Sequence, residues 1–294
     1  MGSAFNQSRV TRPRPPGGRL TLTSGTPVMA SDVTNATSVY YTPYQGAVVT
    51  LYDGSAWYDY TFAELTNTLS DNTKNPAAAA ADNNYDLFVW NDSGTLRLGR
   101  GPAWSSSTSR GTGAGTTELE RVEGVWVNKV AITNGPTAQR GTYVGTVRTD
   151  SSGGQIDWSP ASRMVWNAYN RVLLVGSVIN VASHTYTTAA WRAWNADAAG
   201  SQIQFVLGFA EDVWGGYRFN NQGSGAVSAS VGINTTGGPS GTKGEQMNNF
   251  EDASSSDKFL GGDGYNYLVA VEYGGGGTGS STYERASLAL QYLG

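Results

Sequence analysis

Apolar and β-branched residues in this chain come in runs of strand length, and nearly every run is closed by Gly, Ser, Asn or Asp. Leu20 and Leu22 alternate with Thr21 and Thr23 before a Ser-Gly-Thr-Pro turn. Ser38-Val-Tyr-Tyr-Thr-Pro-Tyr44 is a β-branched and aromatic run. Residues 48–52 and 56–62 flank Asp53-Gly54, a dipeptide suited to a tight hairpin because both residues tolerate positive φ. A second hairpin is expected around Asn91-Asp-Ser-Gly94, and the second half continues the pattern with Ser201-Gln-Ile-Gln-Phe-Val-Leu-Gly-Phe209 and Gly264-Tyr-Asn-Tyr-Leu-Val-Ala-Val-Glu-Tyr273. Short strands at regular spacing, separated by turn residues, predict a mainly β fold of the sandwich or jelly-roll type. The spacing divides the chain into an extended arm over 1–18 and two β domains over 19–175 and 176–294.

Two stretches read as short helix. Phe62, Leu65 and Leu69 have helical spacing. Ser159 followed by Pro160 has the form of a helix N-cap and first helical residue, with Met164, Val165 and Tyr169 on an inward face.

The arm differs in composition from the rest. Arg9, Arg12, Arg14 and then Arg19 give four positive charges before the first acid, Asp32. Pro13, Pro15 and Pro16 hold the backbone extended and Gly17-Gly18 releases it. A segment of this kind has no core of its own. It reads as a docking arm laid on a neighbouring subunit, its arginines contacting an acidic patch, with a tail fixed on its own domain as the alternative. No apolar stretch precedes it, so no signal peptide is expected, and no run approaches the roughly 20 apolar residues that span a bilayer.

Composition narrows the chemistry. Charged residues are 14% and aromatics 11%, the reverse of a disordered chain. There is no cysteine, which removes disulfides, thiol nucleophiles, iron–sulfur clusters and the usual structural zinc sites. The net charge of −4 weighs against nucleic acid as a partner. His184 is the one histidine, with no acid beside it in sequence, and it reads as a packing residue. Glu211 and Asp212 are adjacent and point apart on an extended backbone, while Glu118 and Glu120 lie in a Gly/Thr-rich segment, so no carboxylate pair suggests glycoside hydrolysis. Asp71-Asn72, Asp82-Asn83-Asn84 and Asn248-Asn249 with Glu251-Asp252 lack the ligand spacing of a calcium loop. No enzyme activity, metal or cofactor is expected. Trp214 and Tyr217 flank Gly215-Gly216, which predicts a turn exposing both rings, where they could stack on a sugar face.

Several segments resemble a set of tailed-bacteriophage virion proteins of the tail-fibre and head-fibre type. They are Gly17-Gly-Arg-Leu-Thr-Leu-Thr-Ser-Gly-Thr-Pro-Val28, Val39-Tyr-Tyr-Thr-Pro-Tyr44, Leu51-Tyr-Asp-Gly54, Tyr143-Val-Gly-Thr-Val-Arg148 and Val165-Trp-Asn-Ala-Tyr-Asn-Arg171. The resemblance covers about residues 17–175 and supplies no catalytic residue. The second half more loosely resembles the β-sandwich knobs that close trimeric fibres. The resemblance implies a virion location and a homotrimer attached to other virion proteins through the arm, contacting the host surface and its glycans through the C-terminal domain. A capsid decoration protein is the alternative it leaves open. A polysaccharide depolymerase is disfavoured, because the stacked repeats of a long β-helix are missing.

Overall fold

Alternating side chains build the hairpins where the turn chemistry allows. The strands Asn84–Asp92 and Thr95–Ala103 pair antiparallel across Ser93-Gly94, and both turn residues take positive φ, at 52° and 96°. The Asp53-Gly54 turn is wider than a two-residue hairpin. It joins Val48–Tyr52 to Trp57–Thr61 through four residues, with only Gly54 at positive φ (96°), and one Asp53 carboxylate oxygen accepts from the Ser55 and Ala56 N–H groups, each at 2.8 Å. An aspartate side chain used this way replaces a backbone partner in the turn.

The computed structural model describes residues 7–223, 227–240, 245–247, 252–274 and 281–294. Over these residues the chain is mainly β, arranged in several sheets of the sandwich type without a barrel. Its only helical pieces among the described residues are two three-residue 3-10 turns, Trp194–Ala196 and Ala199–Ser201. No helix there is long and apolar enough to cross a membrane.

Neither expected helix forms. Ser159-Pro160-Ala161 is the bend of a hairpin between Ile156–Ser159 and Ser162–Arg163. Serine and proline open turns as readily as helices. Here the Pro160 carbonyl accepts from Ser177 N–H (2.8 Å) and the Ala161 carbonyl from Gln204 N–H (2.9 Å), so oxygens that a helix would use internally serve neighbouring segments. The stretch around Leu65 is the strand Leu65–Thr68, paired with Ser38–Pro43. Its inward positions follow a period of two, with Asn67 buried between Leu65 and Leu69.

Ser162–Arg163 pairs in parallel with Gln202–Leu207, so strands from both sides of residue 175 belong to one sheet. A single cluster of buried apolar side chains runs from Leu20 to Tyr292. Against this sheet packs a second one, ordered Leu173–Asn180, Ser281–Leu293, Glu211–Gly223 and Asp252–Gly261. Its inner face buries Leu174, Val213, Phe219, Phe259, Leu288, Leu290 and Tyr292. Its outer face is turned away from the core.

Candidate functional site

The outer face of that second sheet follows from strict alternation. On Leu173–Asn180, Leu173, Val175, Ser177 and Ile179 point outward while Leu174 and Gly176 point in. The register sets Val175 opposite Gln291, Gln291 opposite Trp214, and Trp214 opposite Lys258. The next outward row is Ser177, Ala289, Gly216 and Ser256. Gly216 and Ala289 leave that row nearly bare. A hollow of about 320 Å³ therefore opens beside the indole, lined by Trp214, Gly215, Gly216, Ser256, Ala289 and Gln291. Trp214 is 54% exposed and Leu260 69%. At this end of the face the Lys258 ammonium and Asp212 carboxylate pair with each other at 2.9 Å. A flat ring beside a shallow, self-neutralised hollow can stack on an apolar plane or fill a matching hollow.

Trp214 and Tyr217 do not form the exposed pair expected of them. Gly215-Gly216 lies inside the 13-residue strand Glu211–Gly223 and is no turn. Three residues along a strand reverse the face, so Tyr217 is only 6% exposed and its ring lies 4.7 Å from that of Phe219. Glu211 and Asp212 do point apart. Glu211 accepts from Trp166 Nε1 at 2.9 Å and pairs with Arg171, whereas Asp212 is on the outer face with Lys258.

The arm arginines separate into three environments. Gln7–Val10 is a strand at the edge of a three-stranded sheet, paired antiparallel with this chain's own Trp57–Thr61. Arg9 and Arg12 are exposed. Arg14 pairs with Asp59. Arg19 is no surface anchor. It is 3% exposed and donates to the carbonyls of Pro27 (Nε, 3.1 Å), Asn170 and Gly294 (3.1 Å). Burial lowers its pKa to about 10. Arg19 thus joins the start of the first β segment to the end of the last.

His184 is held by one neighbour in sequence and by residues far from it. Its Nε2 lies 2.5 Å from Glu272 Oε2 and its Nδ1 lies 3.2 Å from the Ala182 carbonyl. The ring stacks on Tyr283 at 5.0 Å and meets Trp194 edge-on at 5.3 Å. Glu272 is fully buried, and its other oxygen accepts from Arg192 Nε (2.7 Å) and Asn195 N–H (3.1 Å). Both imidazole nitrogens face oxygens of the Ala182 carbonyl and the Glu272 carboxylate, and neither is bonded to a hydroxyl among the described residues. The packing role read for His184 agrees with this geometry.

Sequence reasoning missed a fully buried charge with several side-chain partners. Asp86 is fully buried and accepts from Arg110 Nε (2.7 Å), from Thr146 (2.7 Å) and from Thr117. The Arg110 guanidinium lies over the rings of Trp104 (4.2 Å) and Phe209 (4.9 Å) and donates to the Gly208 carbonyl at 2.7 Å. Burial works against its charge, but the facing Asp86 and Tyr143 more than offset that, and its pKa lies above the ordinary arginine value. One signal was available, since an aspartate interrupts the apolar run Tyr85-Asp-Leu-Phe-Val-Trp90. Among the described residues no group of three or more His, Cys, Asp or Glu side chains is placed to hold a metal.

No family model and no curated protein matches the chain. Among solved structures it is similar to one of infectious bursal disease virus, Gx strain, at 13% identity and a TM-score of 0.31, covering 98% of this chain and 70% of that one. A Cry1Da tryptic core variant of Bacillus thuringiensis is similar at 8% identity and a TM-score of 0.24, covering 86% of this chain and 48% of that one. The mosquito-larvicidal Cry4Aa toxin of Bacillus thuringiensis follows at 10% identity and a TM-score of 0.20, covering 87% and 51%. The chain spans about half the length of the two toxin structures. All three likenesses are too distant to carry function across.

Proposed function

We propose that this chain is a structural component of a tailed-phage virion, a fibre or appendage subunit that acts as a homo-oligomer and contacts the host surface. The resemblance across residues 17–175 motivates the reading, and the arm is the observation that carries it. A basic strand lies at a sheet edge with Arg9 and Arg12 turned to solvent. Behind it, the proline-rich stretch 13–16 leads back to the buried Gly18–Thr21 strand. An edge strand presents unpaired backbone groups on its free side, and with two arginines beside them it suits an acidic surface on another virion protein. The role needs shape and contact and no bond-making step.

The test is incorporation. Deleting residues 1–16 is expected to leave a soluble, folded protein that no longer enters particles, while the full chain is found on the tail by labelled-antibody imaging. Normal incorporation of the shortened protein would refute the arm's role. Label spread over the head lattice would make the chain a capsid decoration protein instead, and shortening of host polysaccharide by the purified chain would make it an enzyme.

A further inference from the structure

We propose that the outer face of the sheet bearing Trp214 is a self-association surface, on which two copies of this chain pack face to face about a two-fold axis passing between Trp214 and Gly216. Nine large apolar side chains are exposed among the described residues, and Leu173, Val175, Ile179, Trp214, Leu260 and Leu293 all lie on this face. Apolar residues scattered singly need no explanation, but a contiguous group of this kind marks an interaction surface.

The manner of association follows from which groups remain open. Leu173–Asn180 is an eight-residue edge strand without charge, proline or register shift, the type that invites another strand to pair. The middle of that edge is already taken by this chain. Ser177 N–H donates to the Pro160 carbonyl, and the Val175 carbonyl accepts from Arg163 Nε (3.1 Å) and from its terminal nitrogen (2.5 Å). With the middle of the edge occupied, an added strand would lose its central ladder bonds, and packing across the face covers more of the apolar side chains. Four strands about 4.8 Å apart, each contributing about eight residues at about 3.3 Å, give roughly 500 Å² per copy. Two copies then bury roughly 1,000 Å², the lower bound for a specific interface, which predicts a weak dimer.

The occupant is a second copy because the face complements itself. The Trp214 knob stands one row from the hollow over Gly216 and Ala289. A two-fold axis between those rows seats each indole in the other copy's hollow, an isologous contact. Asp212 and Lys258 are neutralised within each copy, and the exposed Arg218, outward two residues beyond Gly216, falls opposite Asp212 across such an axis and not opposite its own image. This pairing goes beyond the virion reading and stands without it, since it should occur in buffer. It also differs from the three-fold assembly that the resemblance implies, and a measured mass separates the two.

Sedimentation equilibrium of the purified full chain over a concentration series tests it. A dimer is expected. Leu260→Lys and Trp214→Ser are each expected to raise its dissociation constant at least tenfold, with far-UV circular dichroism unchanged. Gly216→Val adds apolar surface but fills the hollow, so it should weaken the dimer too, whereas mere stickiness would strengthen it. Thr95→Lys, at the exposed start of Thr95–Ala103 in another sheet, should change nothing. A monomer, a trimer, or a dimer indifferent to these substitutions overturns the proposal. So does a chain that stays monomeric while a neutral oligosaccharide quenches tryptophan fluorescence that is lost in Trp214→Ser, which would assign the hollow to a glycan.

Discussion

Asp86 carries a full charge into the interior, and three side-chain donors converge on it from segments 24 to 60 residues away. Replacing it with alanine leaves the desolvated Arg110 with only the half-exposed Asp263 at 3.9 Å, and losing one partner of a buried pair costs about 3–5 kcal/mol. Asp86→Ala should lower the unfolding free energy by that amount, read as a lower urea midpoint at an unaltered m-value. The pair Asp86→Ala and Arg110→Ala should be less destabilised than the sum of the single changes, because the second substitution removes the charge that the first has stranded. Strict additivity would show that the two residues act separately. The sequence displays Asp86 as a polar break in an apolar run but not its partner, because Arg110 is delivered by a glycine-rich segment with no periodicity to follow. Asn67 is harder still to read. It occupies an inward strand position, donates to the Leu98 carbonyl at 3.0 Å and accepts from the Arg100 guanidinium, also at 3.0 Å, so a pattern based on apolar residues passes over it.

The arm strand Gln7–Val10 shows how little holds an element made of polar residues. It has four register pairs with Trp57–Thr61, and its one apolar anchor is Val10, packed on the cluster of Trp57, Val125 and Val127. An aspartate at Val10 would put a charge against that cluster and should release the strand while leaving the main core intact. Trypsin can report this, because Arg12 and Arg14 each precede proline and resist cleavage, leaving Arg9–Val10 as the sensitive bond of the segment. Val10→Asp is expected to speed cleavage there at least tenfold; an unchanged rate would mean the strand is already open in the native chain. Arm and strands were legible from composition and alternation. The Ser159-Pro160 hairpin was not, since the same dipeptide opens a helix or a turn, and the choice is made by Ser177 and Gln204, which lie beyond any local window. Gly215-Gly216 misled in the same way. Glycines that look like a turn are the bare floor of a strand, and the error of face for Tyr217 follows directly.

At the scale of the molecule the two halves are joined in several ways. Ser162–Arg163 enters the sheet of Gln202–Leu207, Arg19 bonds to the Gly294 carbonyl (3.1 Å), and Arg171 reaches both Glu211 and the Leu293 carbonyl (2.6 Å). None of these links has a local signature, because each pairs positions tens to hundreds of residues apart, which is why sequence spacing alone suggested two bodies meeting near residue 175. A continuous core from Leu20 to Tyr292 predicts that the chain melts as one unit. Calorimetry of the full chain should give a single transition whose calorimetric and van't Hoff enthalpies agree. Trp194 is fully buried in the second half and stacked on Phe219 at 5.0 Å, so Trp194→Ala should cost about 3–5 kcal/mol. Because the core is shared, Trp194→Ala and Asp86→Ala, in opposite halves, should both lower that same transition. Two resolved transitions, each moved only by the substitution in its own half, would mean that the joining strand and arginines hold together two bodies that unfold independently.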